Sequence, residues 1–128
     1  MNDLALIAAG VAAAIHVFFF VLESIRFRRP DTWHRFNLRS QEEADLLAPL
    51  AFNQGVYNLF LAIGVAAGIV AVLIGEVTIG RTLIFFCCGS MALAGAVLVA
   101  TDRRLIGSAV IQSLPPLAAI AFGVFLAA

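Results

Sequence analysis

Four apolar runs, each close to the length of a bilayer crossing, dominate the sequence. They extend over about residues 4–25, 49–74, 81–100 and 105–127. A helix needs roughly 20 apolar residues to cross the hydrocarbon core. Inside that core every backbone amide must find its partner within the chain, which selects helices. Four such crossings consume most of a 128-residue chain that is 62% hydrophobic, 12% charged and has a mean hydropathy of +1.02, so no separate soluble domain fits. The expected fold is all-α: a polytopic membrane four-helix bundle forming one domain over residues 1–128.

The ends of the runs carry recognisable signals. The first runs from Leu4 to Ile25 and stops at Arg26, Arg28 and Arg29. No basic residue precedes it, which is unlike the n-region of a cleaved secretory signal, so it is expected to be a retained helix. The connection over residues 27–48 is expected to lie at the interface, with Trp33 and Phe36 as aromatic anchors among charges. Within it, Ser40 and Glu43 have the spacing of a capping box that opens a helix. Pro49 suits a first helical turn of the second run, and Gly75 ends it. Only Thr101 to Arg104 joins the third run to the fourth, so those two form an antiparallel hairpin.

Orientation follows from the arginines, because lysine is absent. Arg26, Arg28, Arg29, Arg35, Arg39, Arg103 and Arg104 flank the two connections on one side, against Arg81 alone on the other. Positive residues favour the cytoplasmic side. Both termini are therefore expected outside and the long basic connection in the cytoplasm, with the plasma (inner) membrane as the default location.

Small residues at four-residue spacing let membrane helices approach closely. Gly64 with Gly68, Gly10 with Ala14, and Ala92 with Ala96 are such pairs, serving contacts within the bundle or between copies. Cys87 and Cys88 are adjacent, diverge by about 100° around a helix, and are expected as small core residues rather than a disulfide pair.

Polar groups inside a bilayer need a partner or a hydrated cavity, a charge at the helix centre costing about 2.5–3.5 kcal/mol on insertion scales. His16 and Glu23 are seven residues apart, which on a regular helix places them on one face about 10 Å apart along the axis. Entering from the same side as Glu23, the second run begins with Asn53, Gln54, Tyr57 and Asn58, while the fourth brings Ser108 and Gln112 to that level. Pro115 and Pro116 cannot donate backbone hydrogen bonds and leave the carbonyls of Ile111 and Gln112 free. The functional expectation is a cytoplasm-facing polar pocket, with His16 and Glu23 as candidate catalytic residues. Asn53, Gln54, Tyr57, Asn58 and Gln112 are its candidate ligand-binding residues. The bland alternative is an interhelical hydrogen-bond network, with Glu23 paired to Arg26 or Arg103 and Asp102 as a hairpin cap.

Other chemistries lack support. One histidine and one carboxylate do not make a zinc site, so no metal is expected, and no second ligand or attachment motif accompanies His16 for a haem. No Gly-rich phosphate loop, nucleophile elbow or HExxH helix occurs, and no cofactor is implied. The edge arginines suit anionic lipid headgroups better than nucleic acid. The Phe18, Phe19, Phe20 run and the Phe85, Phe86 pair read as lipid-facing or packing residues.

The chain resembles an uncharacterised family of small four-span integral membrane proteins, the domain of unknown function numbered thirteen hundred and four. The resemblance covers nearly the full length. It rests on His16 with Glu23, on Trp33 and Phe36, on the run Asn53-Gln54-Gly55-Val56-Tyr57-Asn58, and on Gln112 ahead of Pro115. In the third span the family tends toward a glycine-rich stretch, of which Ala94-Gly95 remains here. Because the family has no established activity, the resemblance implies an architecture and marks candidate residues without supplying a reaction.

The leading functional expectation is a membrane protein that binds or converts a small amphipathic or lipid-like molecule, with membrane lipid as its other partner. The alternative is a structural or accessory subunit that forms a homo-oligomer through Gly64 and Gly68. A transporter is disfavoured because the outer halves of the runs offer no polar stepping stones and no inverted repeat.

Overall fold

The computed structural model describes residues 1–126; the expected end of the fourth span at Ala127 lies outside them. The first helix, α1 (Asp3–Phe20), opens at Asn2, whose side-chain oxygen accepts the Ala5 amide at 2.9 Å. It continues directly into a five-residue π turn, Val21–Ile25, closed by the Arg26 amide donating to the Val21 carbonyl at 2.9 Å. The connection holds the short α2 (Pro30–Trp33) and a 3-10 turn ending at Asn37, which takes the left-handed conformation at φ 60°. Then come α3 (Gln41–Leu73), α4 (Val77–Thr101) and α5 (Ile106–Phe125). Among the described residues, four helical segments are long and apolar enough to cross a membrane, so the chain is a multi-pass integral membrane protein with an all-α four-helix bundle.

Two helices start earlier than the apolar runs suggested. The α3 N-cap is Ser40, whose hydroxyl accepts the Glu43 amide at 3.1 Å, while Glu43 reaches back to the Arg39 amide at 2.8 Å. This reciprocal cap nucleates the helix eight residues ahead of Pro49. At 33 residues, α3 is about 50 Å long, well beyond a hydrocarbon core of about 30 Å. Its extra turns carry the connection: Phe27 and Trp33 are buried against Ala44, Ala48 and Ala51. Trp33 donates to Gln41 at 3.1 Å, and Gln41 donates in turn to the Arg28 carbonyl at 2.9 Å. Trp33 therefore faces α3, with its indole N–H satisfied. The other early start is α4, at Val77, just after Gly75 at φ +95° turns the chain through the left-handed region that favours glycine.

In the bundle, α1 and α4 both pack against α3 and α5, and form the diagonal. At the arginine-poor end the helices approach closely. A Cβ at Gly68 would lie 2.8 Å from Ile84 Cγ1, and one at Gly80 would lie 2.6 Å from the Gly68 carbonyl oxygen. Gly64 meets the Cys87 sulfur, which leaves 2.5 Å for a Cβ. Gly64 and Gly68 thus pack α3 on α4 within one chain. Cys87 and Cys88 are free and buried in the same core with Ala9, Ala12, Val65, Ile84, Met91 and Ala119.

Two other small pairs behave differently. Nothing lies within 4 Å of a Cβ placed at Gly10, and Ala14 is exposed; the row of α1 that packs inward is Ala5, Ala9, Ala12 and His16. Ala96 is exposed, and Gly95 beside it makes the close approach of α4 to α5, over Ser113 and the Ala109 carbonyl. Both differences are rotations around a helix, which a spacing of four cannot resolve. At the chain's start, the Asn2 amide donates to the Phe122 carbonyl at 2.7 Å, which ties α1 to the end of α5.

Candidate functional site

Toward the arginine-rich end the bundle opens around a cavity of about 640 Å³. All four spans line it, together with Phe27, Phe36 and Leu38 of the connection. Its floor includes Phe19 and Leu61, and its walls are mostly apolar. Into it come Glu23, Gln54, Tyr57, Asn58, Ser108 and Gln112, six of the polar groups that the sequence places at one depth. Their convergence has a local cause. Gln54, Tyr57, Asn58 and Leu61 follow one another at helical spacing on one face of α3, and Ser108 and Gln112 are one turn apart on α5.

Glu23 lies in the π turn, and both it and Phe19 four residues earlier line this cavity. A π turn takes more residues per revolution than an α turn, so residues beyond Phe20 are rotated back relative to a regular helix. Glu23 lines the cavity and His16 does not, so the two candidate residues do not meet there. Glu23 lines the cavity and accepts a hydrogen bond from the Asn58 amide at 3.0 Å. The turn is fixed from α3: the Ser24 hydroxyl donates to the Phe52 carbonyl at 2.8 Å, and Gly55 lies against it so closely that a Cβ there would overlap Ser24 Oγ. Gly55 is thus the crossing point that brings Asn58 to Glu23. Sequence reasoning passed over both Ser24 and Gly55, although the signal was present as a hydroxyl next to the intramembrane acid and a glycine amid the polar run.

His16 is fully buried in α1 and does not line the cavity. Its Nδ1 lies 2.9 Å from the Ala12 carbonyl oxygen, which only accepts, so Nδ1 carries the hydrogen. Its Nε2 is buried without a partner among the described residues. Phe19, one turn closer to the cavity, packs edge-on against the imidazole with ring centroids 6.1 Å apart. Asn53 is exposed on another face of α3 and does not line the cavity either.

Glu23 has no arginine partner within ion-pair distance among the described residues. Arg26 lies past the π turn and pairs with Asp31 at 3.1 Å. Arg103 makes no ion pair among the described residues, and Arg104 pairs with Asp102 at 2.8 Å. Asp102 caps its turn by accepting the Arg104 amide at 3.0 Å, and its hydrogen bond to the guanidinium holds its carboxyl below the usual aspartate range. A second, smaller groove of about 390 Å³ lies between the π turn and α3, lined by Glu23, Ser24, Ile25, Arg28, Pro49 and Phe52 among others. There Arg28 stands 3.9 Å from Asp45 rather than on Glu23. Gln54, Tyr57, Ser108 and Gln112 make no side-chain hydrogen bond among the described residues. A cavity with mostly apolar walls thus receives one carboxyl group, three amides and three hydroxyls, of which Glu23 and Asn58 are joined to each other and Thr101 is bonded to the carbonyls of its own helix.

No curated protein and no solved structure matches the chain. The family model described as "Protein of unknown function (DUF1304)" matches residues 10–124, which takes in the π turn, the polar face of α3 and Gln112 alike. By that match over most of its length, the chain belongs to the DUF1304 family of proteins of unknown function.

Proposed function

We propose that this protein binds a small amphipathic or lipid-like molecule in the cavity at the arginine-rich end, and that this end faces the cytoplasm across the plasma membrane. The observation that carries the reading is the unspent hydrogen-bonding capacity of Gln54, Tyr57, Ser108 and Gln112 around the Glu23–Asn58 pair. Interhelical glue would join these groups to one another, because each unmet group in hydrocarbon is costly. A volume of about 640 Å³ falls within the range of small-molecule pockets, and mostly apolar walls with a few convergent polar groups are their usual lining.

The reading is one of binding. His16, the candidate acid or base, packs edge-on against Phe19 and does not line the cavity, so conversion of the ligand is a separate step that the cavity's lining alone does not supply. The subunit alternative loses its main support, since the Gly64 and Gly68 face is occupied by α4 of the same chain. Close packing of α3 on α4 in the arginine-poor half likewise counts against transport.

The test is native mass spectrometry of protein extracted in mild detergent, wild type against a Gln54→Leu, Gln112→Leu double variant of unchanged helicity. A discrete bound mass lost in the variant is expected. Bare wild type from several detergents, with a melting temperature that no added amphiphile moves, would sink the reading.

A further inference from the structure

We infer that the molecule held in this cavity is a cationic amphiphile, an amine on a single hydrocarbon chain, whose ammonium group pairs with Glu23. The inference rests on the binding reading above and adds the chemistry of the head group. Among the described residues, Glu23 is the one side chain with a carboxyl or basic group that lines the cavity, and no arginine lines it. Among the described residues its one hydrogen bond is from the Asn58 amide to Oε1; Arg26 pairs with Asp31 at 3.1 Å, Arg28 stands 3.9 Å from Asp45, and Arg103, which makes no ion pair among the described residues, does not line the cavity. An acid at the edge of the membrane core without a cation is an incomplete pair. The remaining groups around it, Gln54, Tyr57, Ser108 and Gln112, offer oxygens that accept from the other ammonium hydrogens.

An anionic head group would meet the Glu23 carboxyl with no guanidinium to offset it, and an alcohol would leave the charge uncompensated. Hydrogen bonds to charged groups contribute more than neutral ones, by about the 1.4 kcal/mol that corresponds to tenfold in affinity. The apolar walls, including Phe19, Phe36, Leu47 and Leu61, take the chain.

The experiment compares dodecylamine, dodecanol and dodecanoate in a neutral maltoside detergent at pH 7, reading dissociation constants by native mass spectrometry and by melting temperature. The amine is expected to bind about tenfold more tightly than the alcohol, with the carboxylate weakest. Glu23→Gln, which keeps the shape and the Asn58 contact, should remove the advantage of the amine and leave the alcohol nearly unchanged. Amine and alcohol binding equally to wild type would overturn the inference while leaving the binding reading intact, as would an amine preference that persists in Glu23→Gln. Binding of none of the three to wild type would remove both. Should the variant fail to fold, the wild-type ranking decides: a carboxylate or alcohol that matches the amine refutes the pairing.

Discussion

The two halves of this bundle are built from the same kinds of helix but solve opposite problems. In the arginine-poor half, Gly64, Gly68 and Gly80 bring α3 and α4 into backbone contact, and Ala5, Ala9 and Ala12 let α1 nest against its neighbours. In the arginine-rich half, α3 presents Leu50, Gln54 and Tyr57, α4 presents Val97 and Thr101, and the space between them stays open. Side-chain size sets the contrast. Without a hydrophobic drive between helices in lipid, association depends on close van der Waals contact, and small residues permit it where large ones hold helices apart.

The sharpest way to break the comparison is to swap the effect of one methyl group between glycines. At Gly80 a Cβ would lie 2.6 Å from the Gly68 carbonyl oxygen and 2.8 Å from the Val72 nitrogen, both backbone atoms that cannot move aside. Gly80→Ala should cost about 1–3 kcal/mol, as overpacking does, although alanine is the better helix former. Gly10→Ala, with nothing within 4 Å, should be neutral or gain up to about 1 kcal/mol. Thermal unfolding in detergent, followed by helical circular dichroism, measures both. Equal effects would mean that the tight half is not tight.

Gly55→Ala tests the border between the halves. The added methyl would displace the Ser24 hydroxyl from the Phe52 carbonyl and press on Glu23 Cβ, 3.0 Å away. The expected cost is about 1 kcal/mol, in the range of one lost hydrogen bond with local overpacking. Binding should fall with it, because Glu23 moves off Asn58. A smaller effect belongs to Ser24→Ala, which removes only the hydroxyl; intramembrane hydrogen bonds average about 0.6 kcal/mol. If Ser24→Ala proves the costlier of the two, the hydroxyl rather than the close approach fixes the π turn.

Much of this contrast was legible in the sequence, and what was not has a common physical origin. Length and hydropathy identify four spans because the bilayer leaves helices few alternatives, and the Ser40–Glu43 cap and Gly75 mark the ends of α3 through local backbone chemistry. The sequence reads Asn53, Gln54, Tyr57 and Asn58 as one polar arc, and of these Gln54, Tyr57 and Asn58 line the cavity while Asn53 does not. The five-residue π turn carries no periodic signature, and nothing in the spacing of His16 and Glu23 tells that the acid lines the cavity while the imidazole stays buried outside its lining. Gly10 and Ala14 were given a packing role that belongs to Ala5, Ala9 and Ala12, because glycine and alanine cover several faces of α1 and only the neighbouring helices decide which one is buried. Asn53 lies one position from Gln54 yet on another face, about 100° around the helix.

The weakest contrast concerns the hairpin that closes the open half. Asp102 accepts both the Arg104 amide and the Arg104 guanidinium, and the latter bond depresses its carboxyl below the ordinary aspartate range. A depressed folded-state value means that the ionised carboxylate favours the folded form. That contribution is fully present above the unfolded-state value and is lost as pH falls through the lower folded-state value. Because the pair is exposed to solvent, the effect on the whole molecule is small. Melting temperature should therefore hold level from neutral pH down to the ordinary aspartate range and dip slightly below it. Asp102→Asn, which keeps an oxygen for the turn amide, should remove the part of that dip due to this residue and leave Gly80→Ala unaffected in size. An undiminished dip in Asp102→Asn would assign the acid sensitivity to Asp31, whose carboxyl is held down by Arg26, and tie it to the connection rather than to the hairpin.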